Sequence, residues 1–266
     1  MLTEKDRLHH ITAKVVRADQ HIQDLQTQHE TFLTANPYKI ATKRDPETRR
    51  LIYYLSQALA PEDRMATTLG DILQNLISAL DHLAYQLVCV GTATDGPHPH
   101  VYFPIADDYA KYEATKNART KGMRPDAIKA IDAIRPYRGG NDSLWKLSKL
   151  NNIDKHRLII TIGSAYHSVN IAPVLNRGFE ESFPQFGPLP VFDLYLKPGD
   201  RLFPLKTGDE LFIDAPDAKP NATIKFRFEV AFGERGIIEG EPLIKTVLEF
   251  KSLVARIISE FEPLLV

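Results

Sequence analysis

Residues 69–90 read LGDILQNLISALDHLAYQLVCV, and this stretch decides the fold. Leu69, Ile72, Leu73, Leu76, Ala79, Leu80, Leu83, Ala84, Leu87 and Val88 recur at steps of three and four residues. That is the period of a helix with a broad apolar face, ending near Gly91. A helix this apolar needs partners on several sides, so it is expected to be central and heavily buried.

The first partner lies upstream. Leu8, Ile11, Val15, Ala18, Ile22, Leu25, His29 and Phe32 repeat at the same spacing among Lys, Asp, Gln and Thr, predicting one long amphipathic helix. Asn36-Pro37 should stop it, because proline cannot continue the ladder and pushes its predecessor out of the helical region. Around Arg44-Asp45-Pro46-Glu47, Tyr38 and Ile40 on one side and Leu51, Tyr53 and Leu55 on the other alternate by two, predicting a hairpin near 38–55.

Downstream, residues 93–104 are rich in Gly, Pro, His and Thr and read as a loop ending in Phe103-Pro104-Ile105. Shorter helices are expected at about 107–118 and 125–134, the second opened by Pro125 and closed by Arg135-Pro136-Tyr137. After Gly139-Gly140, Asn141 or Asp142 can cap a helix carrying Leu144, Trp145, Leu147, Leu150 and Ile153. From Leu158-Ile159-Ile160-Thr161-Ile162 the pattern turns to strands, with further alternating stretches at 191–196, 201–205, 210–213 and 223–232. Lys197-Pro198-Gly199-Asp200 and Thr207-Gly208-Asp209 supply turns between them. A last helix, Leu243 to Phe261, ends before Pro263. The expected class is α+β: a mainly helical part over 1–157 with its small hairpin, an antiparallel β part over 158–240 and a C-terminal helix over 241–266, packed as one unit.

Composition narrows the function classes. The 266 residues carry a formal net charge of −1, so no general pull toward nucleic acid or anionic lipid exists and any basic site must be local. Cys89 is the single cysteine, which excludes an intramolecular disulfide and multi-thiolate zinc sites. The N-terminus has no apolar leader core, and no run approaches the ~18 apolar residues of a membrane span. A cytoplasmic chain without a membrane partner, cofactor or metal is expected. Fingerprints of nucleotide binding and of serine or zinc hydrolases are missing.

Two polar clusters interrupt this pattern. Asn151-Asn152-Ile153-Asp154-Lys155-His156-Arg157 stands at a helix-to-strand junction, where Lys155 and Arg157 suit a phosphate, Asn151 and Asn152 add polar contacts and His156 suits proton transfer near neutral pH. The same cations equally suit the carbonyl end of a helix. Asp81-His82 sits in the middle of the central helix, with Asn75, Ser78, Tyr85 and Gln86 nearby on one face. Such a stripe either lines a site or forms a satisfied network between helices. The two imidazoles of His98-Pro99-His100 lack a neighbouring ligand and point to no metal. Arg135 and Arg138 suit an anion or a solvated surface.

Three runs together carry a resemblance: residues 70–84, Phe103-Pro104-Ile105, and Arg135-Pro136-Tyr137 through Leu144-Trp145-Lys146-Leu147 to Asp154-Lys155-His156-Arg157. They resemble a group of uncharacterised bacterial and phage proteins sharing an LRSALDHL, FPI, QPY and LW.L..LN.IDKHR pattern, and Lys225 to Glu234 resembles that group as well. A more distant similarity is to HEPN ribonucleases, in which an Arg and a following His with four to six residues between them form a metal-independent RNA-cleaving site at a dimer interface. That resemblance implies RNA as the partner, a homodimer and a defence, toxin–antitoxin or phage setting, and it matches Asp81-His82; taken with the two polar clusters, it makes His82, Asp81 and His156 the catalytic candidates, with Lys155, Arg157, Asn151, Asn152 and Tyr85 binding substrate. The position that would hold the Arg is Ile77, and none of the nine histidines has an Arg at the required distance. Competing readings are a non-catalytic phosphate or nucleotide binder and a structural interaction protein whose polar motifs are architectural.

Overall fold

The computed structural model describes residues 2–157, 162–187, 189–190, 192–197 and 203–266. Its frame is an antiparallel pair of long helices, α1 (Glu4–Thr34) and α2 (Asp63–Thr92). Thr3 starts α1 with a capping box: Asp6 N–H donates to the Thr3 hydroxyl and Thr3 N–H to the Asp6 carboxylate, each at 3.2 Å. Asn36, at φ +51°, turns the chain out ahead of Pro37. In α2 the apolar face read from the sequence is almost wholly buried, and Ala93 closes the helix in the left-handed region. Gly91 is required inside α2 because the backbone at Gly122 and Arg124 crosses directly over it, leaving no room for a Cβ.

Against this pair pack α3 (Tyr109–Arg119), α4 (Pro125–Ile134), α5 (Asp142–Arg157) and α7 (Leu243–Phe261). Asp108 caps α3 by accepting from Lys111 N–H at 2.8 Å, and Asn141 caps α5 by accepting from Leu144 N–H at 3.1 Å. The main core runs through Ile22, Leu73, Leu80, Leu147, Val254 and Phe261 and takes in Val230 and Phe232 from a strand, which joins the helical half to the sheets.

Two three-stranded antiparallel sheets complete the α+β fold. In the first, β1 (Tyr38–Arg44) and β2 (Arg50–Ala58) form the expected hairpin, and β5 (Glu210–Pro216) adds to the other edge of β2, pairing Tyr53 with both Thr42 and Phe212. The second has β3 (Ile162–Asn170) between β4 (Tyr195–Leu196) and β6 (Phe226–Phe232). Leu51, Tyr53 and Leu55 meet Tyr166, Val169 and Ile224 in a smaller core between the sheets.

The β region departs from its sequence pattern in two places. Residues 172–182 form an additional helix, α6 (Ala172–Ser182), which the sequence reading left without an element. The buried carboxamide of Asn170 explains its start, accepting from Ala172 N–H at 3.1 Å and from Leu194 N–H at 3.0 Å. The alternating stretch at 191–196 pairs over Tyr195–Leu196 alone among its described residues, and 203–205 form no strand. The expected strand residues Leu158 to Thr161, Val191, Arg201 and Leu202 lie outside the described residues, as do Pro198, Gly199 and Asp200 of the expected turn. No described helix is long and apolar enough to cross a membrane.

Candidate functional site

Consecutive residues of a helix point about 100° apart, and this separates the tasks of Asp81 and His82. Half-buried Asp81 accepts the Phe103 N–H at 3.0 Å. Burial pushes its carboxyl above the usual range, opposed by that hydrogen bond and by the charges of Lys155 and Arg119. The bond fixes the loop carrying buried Phe103 and Pro104. On the far side of that loop, Ala106 N–H donates to the Pro136 carbonyl at 2.9 Å, and Ala106 bridges to Tyr137. The central helix, Phe103-Pro104-Ile105 and Arg135-Pro136-Tyr137 therefore converge on one loop, which is also a wall: Val101 faces one cleft, Ile105 and Ala106 face another.

The first cleft, about 490 Å³, is lined by His82, His10, Asp81, Tyr85, Gln86 and Val101, with Leu2 at its edge. His82 is exposed at its mouth, and its basicity is lowered by desolvation against the walls and by the charges of Lys14 and His10 from α1. Tyr85 is occupied structurally, its hydroxyl donating to the Gly96 carbonyl at 2.9 Å. Gln86 lines the floor and is held by Arg7, a buried residue only 3% exposed whose guanidinium donates to Gln86 Oε1 at 2.6 Å and to Asp95 Oδ1 at 2.7 Å. Asn75 and Ser78 are engaged within α2, by the Asp71 carbonyl at 2.8 Å and by Gln74 at 3.0 Å.

The second cleft is two hollows, of about 250 and 530 Å³, joined at Trp145, Lys149 and Asn152. Asp107 organises it, ion-paired with Lys149 and with Lys111 at 3.0 Å and accepting from Trp145 Nε1–H at 3.3 Å. These donors hold its carboxyl far below the usual carboxylate range, Lys149 foremost. The Arg138 guanidinium lies 4.9 Å from the centre of the buried Trp145 ring. His156 and Asn152, both exposed, face Arg235 and Gly236 across the larger hollow.

The residues of the second polar cluster part company. Asn151 is 1% exposed, and its side-chain oxygen has no hydrogen-bond partner among the described residues. Half-buried Asp154 lies against Gly70, and its carboxyl is raised by burial and by the neighbouring Asp71. Lys155 is exposed within electrostatic reach of Asp81. Arg157 ends α5, and its side chain lies outside the described residues. Asp81, His82 and Tyr85 thus share one cleft, Asn152 and His156 the other, and the two histidines do not meet. No cluster of three metal-binding side chains occurs among the described residues.

Sequence reasoning missed His10 and Lys14, which reach His82 from a helix some seventy residues upstream, and Asp107, which binds partners on two helices, α3 and α5. The one local hint was the His9-His10 pair on the polar side of α1. No family model, no curated protein and no solved structure matches this chain.

Proposed function

We propose that the chain cleaves RNA without a metal, in the cleft shared by His82 and His10. The observation that carries this reading is the convergence of two imidazoles, His82 and His10, at one open cleft within electrostatic reach of Lys14. Phosphodiester transesterification needs such a set. The lowered basicity of His82 favours its neutral form, which takes the proton from a ribose 2′-hydroxyl as that oxygen attacks the phosphorus. His10 donates a proton to the 5′ oxygen as the P–O5′ bond breaks, leaving a 2′,3′-cyclic phosphate and a free 5′-hydroxyl. Lys14 supplies positive charge to the phosphorane, the task that the Ile77 position cannot perform. The site so read is built within a single chain.

An architectural reading of the other motif residues has its own support, since Asp81 secures the Phe103 loop and Asp154 fits against Gly70. The deciding experiment incubates single-stranded RNA with the wild type, His82→Ala and His10→Ala in chelator-containing buffer, alongside thermal melts. Cleavage to cyclic-phosphate ends, lost in either variant at unchanged Tm, is the expected result. An inactive wild type sinks the reading.

A further inference from the structure

We propose that the groove around Trp145, on the opposite side of the Phe103 loop from His82, is a binding site for phosphate ester groups. This inference stands apart from the cleavage reading and does not require it. Lys111, Arg119, Arg138, Lys149 and Arg235 line the two joined hollows, five cations against the carboxylates of Asp107 and Glu234, with Arg235 also ion-paired to Glu239 at 3.3 Å. In a chain whose formal net charge is −1, this is a local excess of positive charge.

The cations are held rather than neutralised. Asp107 binds both Lys111 and Lys149, and each ammonium, with three N–H donors, keeps others for a ligand. Among the described residues, Arg138 and Arg119 have no carboxylate ion-pair partner. Arg138 is positioned by the indole face, an arrangement that leaves the N–H edge of its guanidinium open to an anion. Arg119 donates only a long hydrogen bond, 3.4 Å, to the Ile105 carbonyl. Ser148 and Asn152 add neutral donors on the same helix, and exposed His156 stands at the rim.

Phosphate is the anion that suits this set, because arginine forks and lysine point charges together satisfy its several oxygens. With Arg138 over the ring of Trp145, the indole face is already taken, so the groove has no stacking platform there and should show little base preference. The two hollows, joined through Lys149, give room for more than one phosphate along a strand. A mononucleotide offers the same chemistry from a single group.

The test measures binding to the full chain by fluorescence anisotropy, using a labelled 12-nucleotide single-stranded 2′-O-methyl RNA, which transesterification cannot cleave, and, separately, labelled AMP, across a salt series. The variants are Arg138→Ala/Arg235→Ala, both at exposed positions, Lys149→Gln, and His82→Ala as the control from the other cleft. Weakening of RNA binding by about tenfold in the double variant, with a shallower salt dependence and an unchanged Tm, supports the site and identifies a strand as the ligand. Equal weakening for AMP, with no affinity gained by lengthening the ligand, supports the site and identifies a single phosphate group. Unchanged binding of both probes in the double variant and in Lys149→Gln overturns the proposal, as does binding abolished by His82→Ala alone. Binding retained in a protein that never cleaves RNA separates this site from the cleavage reading.

Discussion

The Asp154 carboxylate of α5 rests against the backbone of Gly70 in α2, so closely that a Cβ at position 70 would come 2.6 Å from Oδ2, 2.7 Å from Cγ and nearer still to Oδ1. Glycine weakens a helix interior by about 1 kcal/mol relative to alanine, and here that cost admits the side chain of a neighbouring helix. Gly70→Ala is therefore expected to destabilise the wild type by about 1–3 kcal/mol through overpacking. In an Asp154→Ala background the same substitution should change sign and stabilise by up to about 1 kcal/mol. Urea unfolding of the four proteins checks this, and simple additivity would refute it.

Asp81 supplies an acceptor and bears an ionisation cost at once. Asp81→Ala strands the Phe103 N–H in a buried loop and should cost about 1–3 kcal/mol. Asp81→Asn keeps an acceptor and removes the ionisation. Because burial raises the folded carboxyl above its unfolded value, the folded state holds this proton more tightly. Its contribution to stability is full below the unfolded pKa and is lost as pH rises through the folded pKa. The stability of Asp81→Asn relative to wild type should accordingly increase from pH 4 to pH 7, read from urea midpoints at each pH.

His82 titrates below the ordinary imidazole range because its cleft desolvates it and because Lys14 and His10 oppose a further positive charge. Lys14→Gln should raise the His82 pKa, measured from the imidazole resonances. If His82 is the base, the acid limb of the cleavage profile moves to higher pH in the same variant. His82→Ala should lower the rate by about 100-fold or more. A raised pKa with an unmoved acid limb would remove His82 from the base role.

The helical half of this fold was legible because each long helix declares a period: α2 and α7 bury the residues their spacing selects, α1 buries Ile11, Ala18, Ile22 and Leu25 and half-buries the rest of its stripe, and Pro125 and Pro263 mark boundaries that the chain respects. α6 escaped because its pattern is mixed, with Pro173 and Gly178 against Leu175 and Phe179, and its start depends on the buried Asn170 side chain. Of the candidate site, Asp81 and His82 were visible as polar breaks in an apolar face. Their separate orientations were not, since these depend on which neighbour occupies each side of α2. His10, Lys14, Asp107 and Arg119 carry no local mark, because their surroundings are assembled from distant elements.

The floor of the first cleft depends on a residue that sequence alone would put on the surface. Arg7 is buried, and its fork joins α1 to Gln86 of α2 and to Asp95 of the following loop, which also accepts the Leu2 N–H at 2.7 Å. Arg7→Ala removes the partner of the buried Gln86 oxygen and opens space beneath the cleft, at an expected cost of about 2–3 kcal/mol. Arg7→Lys should recover little of this, because one ammonium cannot span both acceptors with fork geometry. The Asp95 carboxyl is held below its usual range by the Leu2 N–H first and by Arg7 next. The stability linked to it is present above the unfolded pKa and lost as pH falls through the folded one. Arg7→Ala should therefore lose less stability than wild type on acidification. Since the beginning of α1 carries His10, the same variant should shift the His82 and His10 resonances together. Urea midpoints at pH 3.5 and 7 and the imidazole spectrum test both effects, and unchanged resonances in a destabilised Arg7→Ala would detach the buried fork from the geometry of the cleft.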